Sequence, residues 1–220
     1  IVVNTQVITG STTVDGGGLV TLDGENLRQL FLVLEDGNLT LQEITLARGN
    51  FAEGAVAFVA QEGTLRLNSV VVRDSTTDSS DGDGGAVQNR GTLLVESSTF
   101  LRNHANDGGG AINNNGGTAT IRSSTFISNS AFNGGAINNA AGSLDISASL
   151  VLSSTAANQG GGLFATGGAV AVTNVTLARN AAFRGGGIYG QNDAVISVLN
   201  STVYTNTASG AGGGIWNNTA

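Results

Sequence analysis

Few side chains in this 220-residue sequence are equipped for chemistry, and their spacing narrows what they could do. Histidine occurs once, at His104, and lysine is absent, so all nine basic residues are arginine. Eliminative cleavage of an acidic polysaccharide needs a basic side chain beside carboxylates that hold calcium, and glycoside hydrolysis needs two or three acids converging on one groove. Glu43, Glu96 and Asp145 instead fall singly on outward or turn positions, and His104 follows Asn103 in a turn. No catalytic set is expected, and the chain reads as non-enzymatic.

Two other groups of residues could bind something. Asp74, Asp78, Asp81 and Asp83 crowd one inserted turn, and Asp107 shares that turn in the next repeat. Asp78, Asp81, Asp83 and Asp107 form an oxygen-rich, negative candidate site for a structural Ca²⁺. Their spacing matches neither an EF-hand nor a calcium-binding nonapeptide repeat, so a solvated acidic loop is the competing reading. No other cofactor is expected. The second group is aromatic: Phe164, Tyr189 and Trp216 fall at one repeat position where earlier repeats have Gln88, Asn113 and Asn138. If that position faces solvent, the three rings make a stripe suited to stacking on sugars or packing against a protein.

The elements that must position these residues follow from an internal period. Residues Gly84–Asn103 recur with small edits from Gly109 and again from Gly134. Aligning the apolar residue after each glycine cluster gives Leu30, Val56, Val87, Ile112, Ile137, Leu163, Ile188 and Ile215, mostly 25–27 residues apart. A fixed period in this range marks a solenoid. Each repeat holds three short runs with period-two alternation, too short for helices and rich in β-branched residues.

The sequence therefore predicts an all-β, right-handed parallel β-helix of three short strands per coil, about 25 residues per coil and eight to nine coils. It forms one domain over residues 1–220, with looser coils over 1–36 and regular repeats over 37–220. Inward ladders are expected at Leu39/Leu65/Leu93/Ala119/Leu144/Val170/Ile196 and at Leu46/Val72/Phe100/Phe126/Val151/Leu177/Val203. Asparagines recur at two turn positions, Asn103/Asn129/Asn180/Asn206 and Asn89/Asn114/Asn139/Asn217, where stacked amides can satisfy buried backbone groups. With a coil rise of about 4.8 Å the rod is roughly 40 Å long.

Composition sets outer limits on function. The chain has 34 Gly but no Pro, Cys or Met, and with 40% hydrophobic residues it can bury a core. A net charge of −7 disfavours nucleic acid and anionic membranes as partners. No apolar run is long enough for a membrane-spanning helix, so this segment is not expected to insert in a membrane.

The pairing of Gly-Gly-Ala-Ile with Phe-x-x-Asn, as in Gly109–Ile112 with Phe126 and Asn129, and Gly84–Val87 with Phe100 and Asn103, resembles the repeats of the polymorphic outer membrane proteins. More broadly the chain is similar to bacterial surface proteins with parallel β-helix passenger regions. The likeness covers residues 84–220 best; a C-terminal membrane barrel like that family's is not part of this sequence. It implies export, display at a bacterial cell surface and adhesion. Neither end carries an evident capping element, so either the chain is a piece of a longer solenoid or one copy continues the next, Ile1–Asn4 following Asn218–Ala220 much as one strand follows another within the chain. The expected function is thus an extracellular structural or adhesive element that joins head to tail into a filament, its partners being other copies or a surface glycan. The alternative is a polysaccharide-binding or polysaccharide-cleaving β-helix.

Overall fold

The computed structural model describes residues 1–218; Thr219 and Ala220, part of the expected head-to-tail continuation, lie outside the described residues. The described residues contain no helix, and parallel strands stack into a solenoid of about 8 turns with roughly 26 residues per turn.

Each coil follows the alternation in its sequence. The first ladder contains the residue after the glycine cluster and runs through nine strands, from Gln6–Ile8 to Ile215–Asn218. The second stacks five-residue strands such as Thr92–Glu96 and Thr118–Arg122, and the third stacks three-residue strands such as Thr99–Leu101 and Thr125–Ile127. The second and third merge into one 14-stranded sheet because Ser11–Asp23 and Asn38–Ala47 run through both.

Both expected inward ladders are present in register. Leu39 pairs with Leu65, Leu65 with Leu93, and the column continues through Ala119, Leu144 and Val170 to Ile196. The other runs from Leu46 to Val203. Within it the Phe100 and Phe126 rings are stacked, 4.8 Å between centroids and 3° from parallel. These columns form one core along the rod, and a fully buried Leu, Ile or Phe contributes about 1.5–3 kcal/mol.

Two details differ from the expectation. From Val87 onward the first ladder holds the aligned residues, but Val87 pairs with Ala57 and Ala57 with Phe31, not with Val56 and Leu30. Val56 instead donates its N–H to Ala86 O, so it takes the place of the small residue just before the strand. The second difference is a fourth ladder. Ser130–Asn133, Thr155–Gln159, Ala181–Arg184 and Thr207–Ala211 pair in parallel, where the sequence suggests only a turn. Isolated bridges through His104 join them to the short pair Asn50–Phe51 and Thr76–Thr77.

The corners explain the repeated small and polar residues. Between the second and third ladders, and again after the third, one residue takes a left-handed conformation; these are not glycines but residues such as Ser97, Ser123, Arg102 and Ser128. The following side chain then bonds the neighbouring coil. Asn103 Oδ1 accepts the Ser75 N–H, while Asn103 Nδ2 donates to Val72 O and to Asn129 Oδ1. A serine column at the other corner works similarly: Ser98 Oγ accepts the Val70 N–H, and Ser124 Oγ accepts the Ser98 N–H. Glycine is compulsory at Gly110 and Gly135, where a Cβ would lie 2.2 and 2.3 Å from carbonyl oxygens of the next coil.

Candidate binding surface

The fourth ladder has an outer face of its own. Ala131 pairs with Ala156, and Ala182 with Ala208; Ala131 and Ala156 are buried. Side chains alternate across a strand, so the next residue in each coil faces out. Those residues are Phe132, Ala157, Phe183 and Ser209, all exposed. Phe132 is 49% and Phe183 43% exposed, and two coils separate them, a distance of about 9.6 Å. The parallel outward column reads Ser130, Thr155, Ala181 and Thr207. A shallow depression lies across the last three of these strands, lined by residues 155–157, 181–183 and 207–209, and it does not include Phe132. The Arg184 guanidinium sits over the Phe183 ring, 5.1 Å from its centroid.

Polar side chains continue this face toward the N-terminal coils. His104 stands in register with Ser130, and its imidazole nitrogens lie 2.9 Å from Ser130 Oγ and 3.3 Å from Asn106 Oδ1. Asn106 Nδ2 donates to Ser79 O at 2.7 Å, and its backbone N–H donates to Thr77 Oγ1. Ordinary surface amides move freely; this one is held on both sides.

The expected aromatic stripe is in register but is not an exposed stripe. Phe164 pairs with Tyr189 and Tyr189 with Trp216, yet Phe164 is only 4% and Tyr189 1% exposed, while Trp216 in the last described coil is 36% exposed. The reason lies in the arm that returns from the fourth ladder to the first. Gly160, Gly185 and Gly212 have positive φ and turn the chain back over this column. A Cβ on Gly185 would lie 2.7 Å from Tyr189 Cβ, and one on Gly212 2.7 Å from Trp216 Cβ. The same arm buries Gln88 and Asn113, whose side-chain amide atoms have no hydrogen-bond partner.

The acidic residues are not gathered to one point either. Asp78 and Asp81 are exposed on the inserted turn, whereas Asp83 is half-buried against the next coil, where its Oδ1 accepts the Gly108 N–H at 2.8 Å. Burial pushes the Asp83 carboxyl up to about 6, and the charges of Asp107 and Glu53 act in the same direction against that hydrogen bond. Among the described residues, no group of three or more His, Asp or Glu side chains is placed to hold a metal ion. Asp74 is occupied by Arg73 and Arg102. Glu96 stands in register between Asn68 and Arg122, and Asp145 between Thr120 and Ala171, in separate coils.

Sequence reasoning missed Phe132 and Phe183 because Ser130–Asn133 and Ala181–Arg184 look like turns when read singly. Their signal is the shared pattern of a small residue before a phenylalanine, repeated two periods apart. No family model, no curated protein and no solved structure matches this chain.

Proposed function

We propose that this chain is a non-enzymatic structural and adhesive element of an extracellular surface, and that it joins head to tail with copies of itself. The observation that carries the reading is that every named strand pairing is parallel and recurs coil on coil, so each coil offers its neighbour the same row of backbone donors and acceptors over one apolar core. An open parallel ladder with an apolar cross-section accepts another strand through backbone hydrogen bonds, and two unlike ends meeting generate a fibre instead of a closed ring. The likeness of the repeats to bacterial surface proteins supports the same reading.

Solution mass over a concentration series, with electron microscopy of the same samples, tests it. The expected result is rods lengthening in steps of roughly 40 Å, the length of eight to nine coils. Val198→Asp, which puts a charge on the cross-section, should stop the growth while leaving the β spectrum unchanged. A single chain mass at every concentration would overturn the assembly reading. The alternative, a polysaccharide-binding solenoid, is favoured by one observation, the exposed Phe132 and Phe183 of the fourth ladder.

A further inference from the structure

We propose that Ser130 is a nucleophilic acylation site: with His104 as its base and Asn106 as the positioning residue, its hydroxyl takes one acyl group from an activated carboxylic ester and keeps it. The solenoid itself brings the three residues together. His104 and Ser130 stand in register one coil apart, and a coil rise of about 4.8 Å is a span that an imidazole bridges. Asn106 lies two residues on from His104 with buried Ala105 between them, so the two exposed side chains share the outer face beside half-buried Ser130. His104 Nδ1 lies 2.9 Å from Ser130 Oγ, and Nε2 lies 3.3 Å from Asn106 Oδ1.

The neighbours of Asn106 decide which ring nitrogen carries the proton. Its Nδ2 donates to Ser79 O at 2.7 Å and to Thr77 O at 3.3 Å, which leaves Oδ1 facing the imidazole as an acceptor. Nε2 therefore holds the hydrogen, and Nδ1 offers its lone pair to the Ser130 hydroxyl. A nucleophile bonded to a base that a third group orients is the arrangement that makes a serine reactive. The corner serines differ. Ser98, Ser124 and Ser149 donate their hydroxyls to main-chain carbonyls, which cannot take a proton away.

In the reaction, Ser130 Oγ bonds to the ester's carbonyl carbon and passes its proton to His104 Nδ1. The bond from that carbon to the alcohol oxygen then breaks, and the proton leaves with the alcohol. The N–H groups of residues 104–107 and of Ser130 all donate within the chain, so none of them is left to stabilise an oxyanion. Only an ester with a good leaving group reacts without that help, and the acyl-serine that forms resists hydrolysis. Acylation thus goes beyond the assembly reading without making the chain an enzyme.

Mixing the whole chain with 4-nitrophenyl acetate, following nitrophenolate release and locating acetyl groups by peptide mass spectrometry tests this assignment. One nitrophenolate per chain is expected in a fast phase, with the acetyl group on Ser130. Ser130→Ala should lose that phase, and His104→Gln should slow it about a hundredfold, the lower end of what a positioned base supplies. Asn106→Leu should slow it as well, whereas Asn106→Asp, which keeps an oxygen for the Nε2–H, should restore it; a merely structural role would not divide the two variants in this way. Acetyl groups spread over many hydroxyls, a fast phase that survives Ser130→Ala, or equal rates for the wild type and His104→Gln would each overturn the proposal. Release that continues past one equivalent through acetylated Ser130 would uphold the nucleophile and overturn the non-enzymatic reading instead.

Discussion

Asp83 shows how one turn residue can set a pH dependence for the whole chain. Its folded carboxyl sits at about 6, above the ordinary 3.8, so folding favours the protonated form. The resulting stabilisation is complete below about 3.8 and is lost as pH rises through about 6. Other carboxyls run the opposite way. Hydrogen bonds from Arg48 draw Asp23 down, and at Asp74 those from Arg102 and Arg73 together outweigh burial; their contributions are lost only as pH falls. Asp83→Asn keeps an oxygen for the Gly108 N–H and cannot ionise. Its urea midpoint should therefore gain on the wild type between pH 4 and pH 7, and parallel profiles for the two proteins would contradict the assignment. The sequence shows that acids crowd this turn. It does not show that Asp83 packs half-buried against Gly108 while Asp78 and Asp81 stay exposed, because that depends on which way the chain folds back.

Each turn column is a ladder element, and two of them make opposite predictions for the same residue type. Buried Asn103 takes part in hydrogen bonds with Ser75, Val72 and Asn129, so Asn103→Ala strands a buried N–H and a buried carbonyl. The expected loss is about 3 kcal/mol, counting roughly 1 kcal/mol for each of the three lost bonds. Asn113 is equally buried but its amide atoms have no partner, and later coils place Phe164 and Tyr189 in its column. Asn113→Leu should leave stability unchanged or raise it, read as a chemical-denaturation midpoint. Equal losses for both variants would show that the two columns do not differ as described. The inward ladders were legible because period-two alternation repeats at a constant spacing, from Leu39 to Ile196 without a break. The fourth ladder was not, because its strands are rich in Ala and Ser and carry a shift in register between Ala131 and Asn133. The sequence places the aromatic stripe in the right column but not beneath the returning arm, since alternation alone cannot reveal a second layer lying over a strand.

For the molecule as a whole, stability should behave as a sum over coils and the interfaces between them. Removing residues 112–136, one complete coil, would join Ala111 to Ile137 and bring Phe100 onto Val151, the residue that Phe126 now pairs with, and Asn103 onto the Ser154 position. A folded, shorter solenoid is expected, with a melting temperature lower by about 2–4 °C for each kcal/mol lost. Removing residues 112–123, half a coil, should abolish cooperative unfolding, as it puts the third ladder's strand Thr125–Ile127 where the first should be. A folded product in the second case would mean the columns do not determine the fold. The hydrogen bonds of all four ladders point from coil to coil, along the rod, and no strand runs its length. Pulled from its two ends, the chain should accordingly behave less like a rope than like a wound spool. Coils would peel off one after another at low force, each releasing about 25 residues and lengthening the tether by roughly 85 Å, so that an attachment made through it would give way in stages instead of snapping.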